Sequence, residues 1–278
     1  MTIINPPRYS KALLLSDDPE GSVSISCRQP FPGSAFFCPD APRAGVLILH
    51  GSEGVPAFYT KGFGHWLAEH GYAALCFGWC GDYIPELPAG PVEIDLLRTF
   101  EALRWLEHQV KEKKIIVAGF SMGAEQAAIL SAIAAQHAVH YKDNAWLPLP
   151  DGLILHAASD VVSPGWQWDW ADPKNPWRVL KQEEYPQTNP WRLGDLEELE
   201  RGTRIEIEHY LGPVLLSHGL NDRIWSVGRS ERIEAALRGN PARTQEIRTL
   251  FLPGEGHMYS PVGEPRFLQA VLDFLSDF

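Results

Sequence analysis

The chain has 278 residues, 45% of them hydrophobic and 11% aromatic, with ten tryptophans and a formal net charge of −11. That length suits a single α/β domain with a sizeable core. The acidic balance excludes non-specific binding to nucleic acid or to an anionic membrane surface, because no excess of Lys and Arg is available to neutralise phosphates.

The first residues, "MTIINPPRYSKALLL", lack a basic region followed by a long apolar run and a small-residue cleavage site. No stretch approaches the ~20 apolar residues of a membrane span, so a cytoplasmic location is expected. The four cysteines, Cys27, Cys38, Cys76 and Cys80, read as free buried thiols in a chain of this kind. Three residues separate Cys76 from Cys80, but no second Cys/His pair lies nearby, so no metal site is expected.

Along the chain, "VSISC" (23–27) and "SAFFC" (34–38) flank a "PFPG" turn and read as a hairpin. "GVLILHG" (45–51) is a continuous apolar run, which marks a strand buried on both faces. A helix follows with Phe63, Trp66 and Leu67 on one face and Gly71 past its end. "YAALCF" (72–77) is the next strand. Leu96, Phe100, Leu103, Leu106 and Val110 then recur at helical spacing. "IIVAGF" (115–120) leads into "GFSMG" and an alanine-rich helix that is apolar nearly all round and should be buried. "GLILHAAS" (152–159), "PVLLSHG" (213–219) and "TLFLPG" (249–254) complete eight strands. Pro265 opens a last helix with Phe267, Leu268, Val271, Leu272 and Leu275 turned inward. This alternation predicts a mostly parallel central sheet with helices on both faces, in one domain spanning 1–278.

One interval breaks the rhythm. Residues 160–212 hold no clear strand but contain Trp166, Trp168, Trp170, Trp177 and Trp191. A loop of this length is usually functional or disordered, and the aromatics argue against disorder. The segment is expected to be a cap inserted after the sixth strand. Its tryptophans are either cap core or the wall of a pocket for an apolar acyl group.

Ligands of such sheets bind at the carboxyl ends of the strands. There the chain places "HGSEG" (50–54), Ser121, Asp222 in "HGLNDRIW" (218–225) and His257 in "GEGH" (254–257). A serine at a strand-to-helix turn is a weak nucleophile until a base takes its proton. His257 is the expected base, and Asp222 the group that holds its tautomer. Asp160 is the rival acid, and Asp222 could instead cap a helix beginning near Ser226. The order Ser, Asp, His is that of the α/β-hydrolase triad. The oxyanion donors would be the N–H of Met122 and one from Ser52 or Glu53. His50 reads as structural. Glu125 reads as a helix-face carboxylate, with orientation of the loop as its alternative.

With these residues the chain resembles an α/β-hydrolase. It is similar to the branch of dienelactone hydrolases and of the catalytic domain of acyl-CoA thioesterases and bile acid-CoA:amino acid N-acyltransferases. The likeness rests on "GDYIPELP", "GFSMGAE" and "IEIEHYLGPVLLSHGLNDRIWSV" and covers roughly 45 to 278. The eukaryotic thioesterases also carry an amino-terminal β-sandwich, for which the residues before position 45 are too few.

The expected function is serine-dependent cleavage of an ester or thioester without a cofactor. Transfer of the acyl group to an amine or alcohol is the alternative. A peptidase would need an anchor for the peptide terminus, which no residue identifies. Dehalogenases and epoxide hydrolases need Asp where Ser121 stands. A non-catalytic binding protein would be expected to have lost a triad member. The expected partner is a small acyl ester or thioester, with no nucleic acid and no membrane span; assembly as a homodimer stays open.

Overall fold

The structure is a computed structural model that describes residues 24–55, 58–81, 84–111, 113–140, 147–164, 166–168, 177–179, 190–194 and 197–278. Eight strands form its main sheet: β1 (Ile25–Arg28), β2 (Ala35–Pro39), β3 (Gly45–Leu49), β4 (Ala73–Phe77), β5 (Ile115–Phe120), β6 (Gly152–His156), β7 (Val214–Gly219) and β8 (Ile247–Leu252). They lie side by side in the order β1-β2-β4-β3-β5-β6-β7-β8. β1 and β2 pair antiparallel, β2 meets β4 antiparallel, and every pairing from β4 to β8 is parallel.

The central strands need covering on both sides because a parallel sheet exposes apolar residues on both faces. In β3, Leu47 and Leu49 point to one face and Val46 and Ile48 to the other, all fully buried. The first face is covered by α2 (Leu96–Val110), α3 (Met122–His140) and α4 (Gly228–Gly239). The second is covered by α1 (Phe58–Glu69) and α5 (Glu264–Leu275). Each aliphatic side chain taken fully out of water here contributes roughly 1.5–3 kcal/mol.

Two expectations need correction. Cys27 is exposed and Cys38 half-buried, because β1 is the edge of the sheet; Cys76 and Cys80 are buried, and all four are free. Residues 160–212 are also not strandless. Trp166–Trp168 pairs with Trp177–Val179. Trp191–Leu193 pairs with Glu197–Leu199 and with Ile94–Asp95 just before α2. Segments of two or three residues are too short for a period-2 pattern to show in the sequence. Asp95 fastens this small sheet: its carboxylate accepts from Leu97 N–H at 3.0 Å, capping α2, and from Gly194 N–H at 3.1 Å.

Among the described residues no helix is long and apolar enough to cross a membrane.

Candidate active site

β5 turns into α3 at Ser121, whose φ of 54° lies in the left-handed region that side chains rarely adopt. The turn is sharp because the chain has no room to do otherwise. A Cβ on Gly119 would come within 2.3 Å of Gly123 O, and one on Gly123 within 2.3 Å of the carbonyl oxygens of Leu49 and His50 at the end of β3. Both glycines of "GFSMG" are therefore steric requirements. Ser121 N–H donates to His156 O at 2.9 Å, and Ser121 O accepts from Ala124 N–H and Glu125 N–H, so strain is held from both sides.

Three residues from separate loops meet at this serine. His257 Nε2 lies 2.8 Å from Ser121 Oγ, and His257 Nδ1 lies 2.7 Å from Asp222 Oδ2. The Asp222 carboxylate is completely engaged. Oδ1 accepts from Ile224 N–H at 2.7 Å and Trp225 N–H at 3.0 Å, while Oδ2 accepts from His257 and from His218 Nε2 at 2.9 Å. Burial alone would raise its pKa. The hydrogen bonds from His218 and His257 outweigh that and hold the group well below the usual carboxylate range. Trp225 meets the His257 ring edge-on at 5.9 Å. Asp160, the rival acid, ion-pairs with Arg232 at 2.5 Å and with Arg229 at 3.7 Å.

Two buried histidines brace this arrangement, and the sequence reading missed both. His218 Nε2 faces two acceptors, Asp222 Oδ2 at 2.9 Å and Trp225 O at 3.0 Å, so the proton sits on Nε2, and Nδ1 accepts from Ser230 Oγ at 2.8 Å. His156 faces Ser217 Oγ at 2.9 Å through Nδ1 and His257 O at 2.8 Å through Nε2. Burial lowers the His156 pKa to about 3, which keeps it neutral. A signal was present: each histidine closes a buried apolar strand at the carboxyl edge. His50 stands in the structural place expected of it, with Nδ1 on Gly51 O at 2.6 Å, Trp79 N–H on Nε2 at 3.2 Å and its ring stacked on Trp79 at 4.7 Å.

The N–H groups of the "HGSEG" loop divide clearly. Gly51 N–H lies 2.8 Å from Tyr59 Oη and 3.1 Å from Glu53 Oε1. Glu53 N–H serves its own carboxyl. Ser52 N–H and Met122 N–H are taken by no other described group. Of the two loop residues expected as oxyanion donors, Ser52 is the one whose N–H no described group takes.

Glu125 is not the helix-face carboxylate that the sequence suggested. It is fully buried, and Oε1 accepts from Ser163 N–H at 2.9 Å and Trp191 Nε1–H at 2.7 Å. A lone acid in a helix apolar all round has no exposed face to occupy. It ties the first turn after Ser121 to residues 163 and 191. Trp191 itself is fully buried and packs on Trp79 at 5.3 Å, in the packing role. Trp166, Trp168 and Trp177 lie on the short paired strands, and Trp170 lies outside the described residues.

Burial pushes the Glu125 pKa up to about 7 from 4.5. Between those values the folded protein keeps a proton that the unfolded chain releases. The associated stability is complete below about pH 4.5 and is lost as pH rises through about 7, by up to about 3 kcal/mol. Urea unfolding at pH 5 and pH 8 should show wild type losing more stability than Glu125→Gln, which mimics the protonated form at every pH. Equal losses in the two proteins would show that Glu125 is charged throughout.

No protein-family model and no curated protein matches the sequence. Solved structures do match in shape. Est1E from Butyrivibrio proteoclasticus is 16% identical, covering 92% of this chain and 98% of its own, with a TM-score of 0.57. Esterase B from Lactobacillus rhamnosis is 15% identical over 96% of this chain and 89% of its own, with a TM-score of 0.58. A dienelactone hydrolase-like promiscuous phosphotriesterase from metagenomic libraries is 16% identical over 92% and 99%, with a TM-score of 0.56.

Proposed function

From its α/β-hydrolase fold, we propose that this chain is a serine hydrolase that cleaves a carboxylic ester or thioester through an acyl-serine intermediate. The observation that carries the reading is the continuous hydrogen-bonded chain from Ser121 Oγ through His257 to Asp222; the N–H groups of Ser52 and Met122 are taken by no other described group.

Ser121 Oγ attacks the substrate carbonyl carbon while His257 Nε2 takes the hydroxyl proton. The carbonyl oxygen becomes an oxyanion held by Met122 N–H and Ser52 N–H. The intermediate collapses, the bond to the leaving oxygen or sulfur breaks, and His257 returns the proton to that atom. Water then enters, gives a proton to His257 and attacks the acyl carbon; collapse frees the acid and restores the serine. Asp222 keeps the Nδ1–H tautomer of His257 and stabilises the imidazolium formed in each half.

In this reading the described residues 160–164 and 190–194 belong to a cap; the rest of the expected insertion between them lies largely outside the described residues. The cap's support is that Ser163 N–H and the Trp191 indole both end on Glu125, one turn beyond the nucleophile. A cover anchored there would exclude water and strengthen the oxyanion contacts.

The test is a fluorophosphonate probe with peptide mapping, followed by a screen of esters and thioesters of varied acyl length, with and without amine or alcohol acceptors. Label on Ser121 and release of free acid are expected. Acyl amide or new ester as the main product would move the assignment to acyl transfer. No label and no turnover would reject the hydrolase.

A further inference from the structure

Glu53 stands where the reaction would be sensitive to charge. A Cβ on Gly51 would lie 2.4 Å from Glu53 Oε2 and 3.3 Å from Ser121 Cβ, so carboxyl and nucleophile face each other across a glycine. The carboxyl is fixed there. Glu53 Oε1 is bonded by Tyr59 Oη at 2.5 Å and by Gly51 N–H at 3.1 Å, and the carboxyl also takes its own N–H. The Tyr59 ring packs edge-on against Phe120 at 5.4 Å, the residue before Ser121. Glu53 is an exposed residue, and its carboxyl also interacts electrostatically with His257. Desolvation of the inward-drawn carboxyl raises its pKa above the usual carboxylate range.

We propose that the Glu53 carboxyl is a specificity-determining group that accepts a hydrogen bond from an ammonium or hydroxyl group next to the scissile ester and excludes an anionic group there. The proposal rests on Ser121 being the nucleophile. A substrate that covers Glu53 strips water from its outer face. A purely apolar substrate leaves an acceptor unpaired, and an anionic one adds like-charge repulsion in a poorly solvated place. A donor restores the lost hydrogen bond. Discrimination by an unpaired buried acceptor is the strong kind, unlike that by a missing methylene. Gly51 is part of the device, since any side chain at that position would displace the carboxyl.

Matched aryl esters of 2-aminopropanoic, 2-hydroxypropanoic, propanoic and 2-carboxypropanoic acid would be compared by kcat/KM. A second series would carry the same four substituents on the alcohol. Wild type should favour the amino and hydroxy members over the carboxy member by about a hundredfold in one series. Glu53→Gln should shrink that ratio by about tenfold, and Tyr59→Phe, which frees the carboxyl, should shrink it less. Both variants should stay folded, because Tyr59→Phe keeps the ring that packs on Phe120 and Glu53→Gln keeps the side chain's size. Flat ratios in both series for wild type, or an unchanged ratio in Glu53→Gln, overturn the assignment. If Ser121 still takes the fluorophosphonate and esters are still cleaved, that failure belongs to Glu53 alone. Loss of both would sink the hydrolase reading and this inference with it.

Discussion

Ser121→Ala should lose fluorophosphonate labelling and about six orders of magnitude in kcat, the scale seen when a triad serine is removed elsewhere. What remains should be on the order of 10³-fold over water, supplied by the oxyanion donors and by binding. The variant should stay folded, since Ser121 is small and its hydroxyl, among the described residues, bonds only to His257. Its backbone offers a second readout. At a φ of 54° a side chain is strained by about 1–3 kcal/mol, and glycine is not. Ser121→Gly should therefore melt above Ser121→Ala while being equally inactive, as expected where strain is held for function. Full activity in either variant, or label appearing on another serine, would remove Ser121 from the mechanism. A glycine variant that melts below the alanine one would show that the turn is unstrained.

Asp222→Asn should cost about 10⁴-fold in kcat, whereas Asp160→Asn should cost far less. The hydrogen-bond inventory explains the size. Asp222 accepts two backbone N–H groups on Oδ1 and two imidazole N–H groups on Oδ2. Asparagine has one accepting oxygen, and its NH2 can only donate. If that oxygen faced the imidazoles, the NH2 would oppose the N–H groups of Ile224 and Trp225, which cannot change role. The oxygen therefore stays with the backbone, and His257 must turn its Nδ1 into an acceptor. Its proton then sits on Nε2, facing Ser121, where a base is needed. Asp160 is bound to arginines on α4 and, among the described residues, makes no hydrogen bond to Ser121, His257 or Asp222. Comparison of kcat/KM for the two variants decides the matter, and a larger loss at position 160 would reverse it.

How much of this was legible in the sequence follows from the range of each interaction. The central strands β3 to β7 were readable because buried parallel strands are continuous apolar runs, and "GVLIL" or "IIVAGF" carries that mark without its neighbours; the edge pair β1 and β2 was readable from the "PFPG" turn between them. The joint at Ser121 was readable because strand, glycine, serine, glycine and helix lie within a few residues. Asp222 and His257 followed from chain order, since a parallel sheet places successive strand ends on one edge. The strands between 160 and 212 were not readable, because each is only three residues long, and Trp191–Leu193 takes one of its pairings from the distant Ile94 and Asp95.

The sequence by itself determined the sheet, the edge at which chemistry gathers, and the serine presented there, because these depend on patterns within one segment. Only the tertiary structure decided which acid reaches His257 and which loop N–H stays available. It alone placed His218 against Asp222 and His156 against His257, turned Glu125 inward to Trp191 and laid the Glu53 carboxyl over Gly51. The physical reason is that hydrogen bonds are satisfied between specific atoms at about 3 Å, and separation along the chain carries no information at that scale.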